Sequence, residues 1–196
     1  RLRGDILKLF TSMLLYIPFF VNAADYHHVH MRAEDTLATA TWYAQNMGGE
    51  LTTVGDFDAV KFDDILLLIA KIDREGADGS PYPGKLVSSQ GSALDHLGFS
   101  FTNLQAQMPG LLEAGATVIK PTEEVVGLFS YAFIVDPWGQ KIEVMQDPEL
   151  IGFHHAHLMS LATEKTINWY REIFGGEVVN FKGLSALPAI QYGEFW

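Results

Sequence analysis

A block of 25 residues occurs twice in this chain, and this repeat constrains the fold more than any other feature of the sequence. Tyr26 to Glu50 aligns without a gap with Phe153 to Glu177, and 10 of the 25 positions are identical. Both copies begin with an aromatic residue followed by His-His-x-His, and both end with Gly-Gly-Glu. A repeat of this length indicates one supersecondary unit that the fold uses more than once. A third, more diverged copy opens with Leu-Asp-His-Leu-Gly-Phe at 94–99, and the three stretches hold all seven histidines.

The composition is that of a globular protein with an acidic surface. The chain has 196 residues, of which 48% are hydrophobic, so it is long enough to bury a sizeable core. Its net charge of −11 disfavours nucleic acid and anionic membranes as partners. Because it contains no cysteine, thiol chemistry and cysteine metal sites are excluded.

Residues 1–23 have the layout of a secretory signal peptide. A basic start with Arg1, Arg3 and Lys8 precedes an apolar run from Leu9 to Val21, and small residues follow at the predicted cleavage site. The apolar run is short for a membrane span, although an apolar first helix or a membrane anchor is the alternative. We therefore expect a periplasmic or secreted protein with no membrane attachment after signal removal.

Residues 26–73 predict a module of one strand, one helix and three further strands. Side chains alternate from Tyr26 to Arg32 as in a strand, and Asp35 suits the N-cap of a helix that ends at Gly48-Gly49. The three strands are predicted at 51–54, 59–62 and 65–72. Residues 74–92, rich in glycine, proline and serine, form the predicted linker.

A second module of the same kind is predicted at 93–147, and a third begins near 151. The second has a helix at about 104–114, which Pro109 should shorten or kink, between strands at 93–101, 117–119, 131–135 and 141–145. The third has a strand from Phe153, a helix at about 163–174 and a strand near Val178. We expect residues 24–150 to form one domain. Residues 151–196 should begin a second one, completed by further chain or by another chain.

Three side chains on different predicted strands share one face and have the chemistry of metal ligands. If the apolar faces of the strands pack on the helices, His28, His96 and Glu143 all point into one cavity. Two imidazoles and one carboxylate form a facial triad that suits Fe2+, Mn2+ or Zn2+ and leaves positions open for substrate or water. The alternative is that the two histidines only satisfy polar partners in a wet cavity.

The neighbouring histidines carry weaker predictions. His30 shares the face of His28, so it is a candidate general acid or base, or else a cavity histidine without a catalytic role. His27 and Asp95 face away from the predicted ligands, and we expect them to be structural. His155 corresponds to His28 in the third unit, but it is not assigned as a ligand because its companions would lie in strands beyond 196.

Residues 26–150 resemble the vicinal oxygen chelate superfamily, which contains glyoxalases, bleomycin-resistance proteins and extradiol dioxygenases. The resemblance rests on the β-α-β-β-β units, the strand openings, and the ending Asp-Pro-Trp-Gly-x-x-Ile-Glu at 136–143. It implies an α+β fold in which paired modules form a cupped eight-stranded mixed barrel. The resemblance also implies a divalent metal ion (Fe2+, Mn2+, Zn2+ or Ni2+) at His28, His96 and Glu143. In such enzymes the metal chelates two adjacent substrate oxygens and stabilises the charge that develops on them.

Three departures separate the sequence from particular subfamilies. Glyoxalase I types carry a carboxylate on the last strand of the first module, where this chain has the apolar run Ile65 to Ile69. Extradiol dioxygenases usually carry a tyrosine where this chain has Phe133. They also have an acid–base histidine before the second ligand, but no histidine lies between Leu51 and Asp95.

The sequence therefore favours a metal-dependent enzyme acting on a small oxygen-rich molecule, by dioxygenase, lyase or isomerase chemistry. A homodimer is compatible with this prediction. One alternative is a metal-free small-molecule binding or resistance protein of the bleomycin-binding type. Another is a structural dimerisation module in which the triad only stabilises the fold.

Overall fold

The computed structural model describes residues 24–72 and 88–196. The predicted signal peptide and most of the predicted linker lie outside these ranges. Two βαβββ modules are followed by a third unit of one strand, one helix and two further strands, with a turn of 3-10 helix at Phe181–Gly183 between the last two strands. The elements are β1 (His28–Ala33), α1 (Thr36–Met47), β2 (Glu50–Val54), β3 (Phe57–Phe62), β4 (Ile65–Lys71), β5 (Leu94–Ser100), α2 (Leu104–Glu113), β6 (Thr117–Val125), β7 (Phe129–Val135), β8 (Lys141–Gln146), β9 (Gly152–Leu158), α3 (Thr163–Phe174), β10 (Glu177–Asn180) and β11 (Pro188–Gln191).

The first two modules have the same strand order, as the repeat predicts. In the first module the order is β1-β4-β3-β2, and in the second it is β5-β8-β7-β6. The first strand of each module runs parallel to the last strand, and the other neighbours are antiparallel. The predicted α+β fold class with repeated βαβββ modules is thereby confirmed.

The third unit, rather than the first, pairs with the second module. Strand β9 adds to the free edge of β5 in an antiparallel arrangement, with Leu97 opposite Ala156 and Gly98 opposite His155. The strands consequently form a four-stranded sheet, a five-stranded sheet in the order β6-β7-β8-β5-β9, and the small β10-β11 sheet. The eight strands expected in one barrel thus lie in two sheets, and β1 does not pair with β5.

The helices follow the local signals in the sequence. The side chain of Asp35 accepts a hydrogen bond of 2.9 Å from the Ala38 N–H, which satisfies a free amide at the start of α1. Gly48 ends α1 with φ of 82°, a left-handed conformation that glycine adopts without strain. Pro109 lies inside α2, which nevertheless ends within a residue of its predicted boundary.

One continuous apolar core joins the first two modules and β9. Phe99 of β5 stacks on Phe153 of β9 at 4.8 Å between ring centroids, and Phe62 of the first module packs on both. The buried Tyr43 hydroxyl donates to Asp136 at 2.8 Å across the same core. Because these rings occupy one face of β5, the opposite face, which carries His96, is left for a site. None of the helices in residues 24–72 and 88–196 is long and apolar enough to cross a membrane.

Candidate metal centre

Three strands of the larger sheet bring together two imidazoles and one carboxylate. The Nε2 atom of His96 on β5 lies 3.1 Å from Oε2 of Glu143 on β8. The Nε2 atom of His155 on β9 lies 3.3 Å from the same oxygen. One ligand atom from each residue lies within 4.8 Å of the others. Three strands of one sheet therefore hold a His-Glu-His group in place.

Gly98 makes room for the third member of this group. Gly98 lies opposite His155 in the β5-β9 ladder. A Cβ atom on Gly98 would lie 2.1 Å from Cε1 of the His155 imidazole and 2.3 Å from its Nδ1. Because no side chain tolerates such contacts, glycine is needed where the ring crosses β5.

The buried His96 is held from behind by a carboxylate. Its Nδ1 lies 2.7 Å from Oδ2 of Asp95, and Lys141 forms an ion pair with the same carboxylate. Burial by itself raises the pKa of Asp95. The hydrogen bonds from Lys141, the Gly91 amide and His96 outweigh burial, so the pKa lies well below its usual range. An ionised Asp95 keeps a proton on Nδ1 and leaves Nε2 directed at Glu143.

His155 is held from behind by a second imidazole. Its Nδ1 lies 2.9 Å from Nδ1 of His154, and Nε2 of His154 lies 3.3 Å from Oδ2 of Asp147. His154 and Asp147 are each 1% exposed. Burial, reinforced by the charge of His155, lowers the pKa of His154 to about 4, so this imidazole is neutral at physiological pH.

Glu143 is the charged centre of the group. Burial raises the pKa of its carboxyl group, but the hydrogen bonds from His155 and His96 and their charges lower it more. The pKa of Glu143 therefore lies well below the ordinary value, and the carboxylate is ionised. An ionised carboxylate between two imidazoles is the form in which all three side chains bind a cation.

The spacing of the three side chains fits a transition metal. Metal–ligand distances of about 2.1 Å place adjacent ligand atoms about 3.0 Å apart in an octahedral site and about 3.4 Å apart in a tetrahedral one. The two imidazole-to-carboxylate distances, 3.1 and 3.3 Å, lie between these values. Two imidazoles and one carboxylate also leave coordination positions open. The residues present therefore suit a divalent ion, and they would supply its protein ligands.

The group lies in the wall of a cavity of about 1330 Å³ between the second module and the third unit. Part of the lining comes from α3 and the β10-β11 hairpin. Most of the side chains around the polar group are apolar or aromatic, as is common in small-molecule sites. They include Val125, Phe129, Tyr131, Phe133, Met145 and Phe181.

Of the three predicted ligands, His96 and Glu143 lie side by side, whereas His28 lies elsewhere. His28 lies on β1 in the other sheet, exposed, with its Nδ1 2.8 Å from Nδ1 of His27. His30 is also exposed and contacts the rings of His28 and Phe57, so it does not lie beside His96. His155 takes the place that the prediction gave to His28. The reason is that β9, and not β1, occupies the edge of β5.

The repeat contained the signal for His155. His155 aligns with His28 in the repeat, so the sequence supports either residue equally as a ligand. Asp95, predicted to be structural, contacts a candidate ligand directly. The roles of His154 and Asp147 have no comparable signal, because a carboxylate seven residues before a histidine is not a recognised pattern.

Together, the modules and the His-Glu-His group define a protein with the glyoxalase/bleomycin resistance/dioxygenase fold. A family enzyme of that description from Burkholderia phytofirmans PsJN matches 63% of this chain and 99% of its own, with a TM-score of 0.50 and 19% identity. Glyoxalase I from Zea mays matches 80% of this chain with a TM-score of 0.61 and 16% identity, and this chain spans 57% of the maize protein. These likenesses establish the fold alone. No protein-family model matches the sequence, and no curated protein matches it either.

Proposed function

We propose that the protein is a divalent-metal-dependent enzyme whose ion is held by His96, Glu143 and His155. The observation that carries the proposal is the convergence of their three ligand atoms within 4.8 Å on the wall of a large cavity. The bound metal would chelate two adjacent oxygens of a small substrate and stabilise charge that develops on them. Dioxygenase, lyase and isomerase chemistry all fit this description.

The cavity suggests what the rest of the substrate contacts. Phe133 packs edge-on against the ring of His96 at 5.1 Å, and Tyr131 lies next to Phe133 at 5.9 Å. The Tyr131 hydroxyl accepts a hydrogen bond from Lys120 and donates one to Glu123. A substrate with an oxygen-bearing end and an apolar body would place the oxygens at the His-Glu-His group and the body against these rings.

Metal titration with matched variants tests the site. Wild-type protein, His155→Ala and His28→Ala would be titrated with Fe2+, Mn2+, Zn2+ and Ni2+ by calorimetry after removal of bound metal. We expect about one equivalent of metal in the wild type and in His28→Ala, and at least a tenfold weaker affinity in His155→Ala. The two substituted histidines are equivalent in the repeat, so they form a matched pair. Equal losses in both variants, or no uptake of any ion by the wild type, would refute this site.

Activity is tested on the metal-loaded protein. Turnover of catechols and of glutathione hemithioacetals would be measured with each ion in turn. Turnover that requires the metal and is lost in Glu143→Gln would support the enzyme. Failure to turn over any substrate class in the presence of stoichiometric metal would favour a binding protein.

A metal-free small-molecule binding protein is the second candidate function. The observation in its favour is that both imidazoles already face the carboxylate of Glu143 at hydrogen-bond distance. A closed group of this kind is satisfied without an ion. This candidate predicts that ligand binding survives chelation and His96→Ala, whereas binding through a metal would be lost in both.

A further inference from the structure

The two imidazoles of the candidate centre are supported in parallel ways. Behind His96 stands a carboxylate, Asp95, which is paired with a lysine. Behind His155 there is also a carboxylate paired with a lysine, because Lys182 lies 2.9 Å from Oδ1 of Asp147. The difference is that one additional imidazole stands between this carboxylate and the ligand. That imidazole, His154, has no counterpart on the His96 side.

Hydrogen-bond accounting assigns the protons along this row. An ionised Asp147 can only accept, so Nε2 of His154 must carry the proton that it donates. When His155 binds a cation through Nε2, its proton must lie on Nδ1, which then donates to Nδ1 of His154. Without a cation, Nε2 of His155 instead donates to the carboxylate of Glu143 at 3.3 Å. A bound cation replaces this proton, and the Nε2 lone pair then faces the ion.

The row is rigid enough to impose this arrangement. Asp147 is anchored through its backbone N–H, which donates to Ser100 Oγ at 2.9 Å, and its carboxylate also accepts from the Glu149 N–H at 3.0 Å. The ring of His154 packs edge-on against Phe181 at 5.4 Å. Since His154 and Asp147 are almost completely buried, water does not compete for these hydrogen bonds.

The repeat provides an internal comparison. His27 and His28 show the same Nδ1-to-Nδ1 contact, at 2.8 Å, but both side chains are exposed. Within the two described ranges, no carboxylate is hydrogen-bonded to His27. Contact between adjacent imidazoles is therefore a property of the His-His strand opening itself. The second copy differs because the buried carboxylate of Asp147 fixes which ring nitrogen of His154 donates a hydrogen bond.

We propose that His154 is a positioning residue that transmits the hydrogen bond of Asp147 to His155 and holds the His155 Nε2 lone pair toward the metal position. The consequence for metal affinity rests on the proposed function. The contacts of His154 with Asp147 and His155 do not, because they exist without a metal. Because an imidazole rather than a carboxylate contacts His155 directly, the support of this ligand depends on two residues, His154 and Asp147, rather than on one.

The first experiment reads the tautomers directly. Two-bond 1H–15N correlation spectra of the histidine rings would be recorded at pH 7.5 on metal-free and Zn2+-loaded protein, with His154→Leu and His155→Ala used for assignment. In the zinc-loaded protein we expect the proton of His154 on Nε2 and that of His155 on Nδ1. A zinc-loaded protein in which His154 carries its proton on Nδ1 instead of Nε2 would overturn the proposal.

The second experiment measures the affinity for Zn2+ in four variants. His154→Leu removes the acceptor, and we expect an affinity about 10–100-fold weaker than that of the wild type. His154→Gln retains an acceptor oxygen and should recover part of this loss. Asp147→Asn can donate to His154 and reverse the protons of the row, so it should weaken binding as His154→Leu does. His27→Leu, the equivalent change in the first copy, should leave the affinity unchanged.

The two proposals fail in different ways. If the wild type binds no metal, the metal-dependent enzyme is refuted, and the positioning role of His154 is refuted with it. If the wild type binds zinc and His155→Ala does not, but His154→Leu binds as tightly as the wild type, the centre stands and the positioning role is refuted.

Discussion

Replacing Gly98 by alanine should disrupt the candidate centre although none of its three ligands is substituted. The added Cβ would lie 2.1 Å from Cε1 of His155, and the ring would have to move back by about 1.3 Å to reach the ordinary contact distance of 3.4 Å. That ring is fixed on the other side by His154 at 2.9 Å. The strain therefore falls on the β5-β9 pairing or on the imidazole itself. An overpacked position of this kind costs about 1–3 kcal/mol of unfolding free energy.

The same displacement acts on metal binding. Moving the His155 ring by more than 1 Å takes its Nε2 atom out of reach of an ion held by the other two ligands. We expect Gly98→Ala to bind Zn2+ at least tenfold more weakly than the wild type. Urea unfolding of the metal-free protein would give the stability, and calorimetry would give the affinity.

Two further variants isolate the cause. In a His155→Ala background the clash is absent, so Gly98→Ala should cost nothing, and the difference between the two backgrounds measures the coupling. Gly110→Ala is the matched control, because Gly110 lies in α2 with no atom within 4 Å of the added Cβ. It should stabilise the protein by about 0.5–1 kcal/mol. An equal cost of Gly98→Ala in both backgrounds, or unchanged affinity in that variant, would refute the reasoning.

Three other predictions concern pH, strand pairing and helix capping. Burial lowers the pKa of His154 from 6.5 to about 4, so between these pH values the unfolded chain binds a proton that the folded chain does not. The free energy of unfolding is therefore about 3 kcal/mol higher above pH 6.5 than it is near pH 4. Urea titrations of metal-free protein should show this slope, and it should be absent in His154→Leu. Because the chain has no cysteine, Leu97→Cys combined with Ala156→Cys should form a disulfide on oxidation, whereas Leu97→Cys combined with Val29→Cys should not. Mass spectrometry would detect the disulfide, and the opposite result would show that β1 pairs with β5. Asp35→Ala should cost about 1 kcal/mol in thermal unfolding because α1 loses its cap, and no change would contradict that role.

Local signals in the sequence predict the elements of this fold well. The helix predicted from Thr36 to Met47 has those bounds, because an acceptor side chain precedes it and a left-handed glycine follows it. The helix predicted at about 163–174 also has its predicted bounds. The face that carries His96 and Ser100 is opposite the face that carries Leu97 and Phe99, as alternation predicts.

Strand β6 shows where local signals fail. The sequence predicts that this strand ends at 119, since the following Lys-Pro-Thr-Glu-Glu has no alternation of polar and apolar residues. The strand instead continues to Val125, with shifts of register between Val118 and Lys120 and between Lys120 and Glu123. It lies at the edge of the sheet, where Pro121 does not remove a hydrogen bond that a second neighbour would need. Pairing with β7 therefore extends the strand beyond what its own pattern indicates.

The choice of partner for β5 depends on information that periodicity does not contain. β1 and β9 carry histidines at equivalent positions of the repeat, so either strand could place an imidazole beside His96. The alternation of side chains determines only which face of the sheet that imidazole occupies. Two features favour β9. Five residues connect it to β8, and consecutive elements joined by short connections are usually neighbours in space. That connection also contains Asp147, whose buried carboxylate supports the imidazole next to His155. The same short segment thus delivers the strand to the edge of β5 and supports the side chain that completes the centre, which explains why one copy of the repeated motif lies in the site and the other does not.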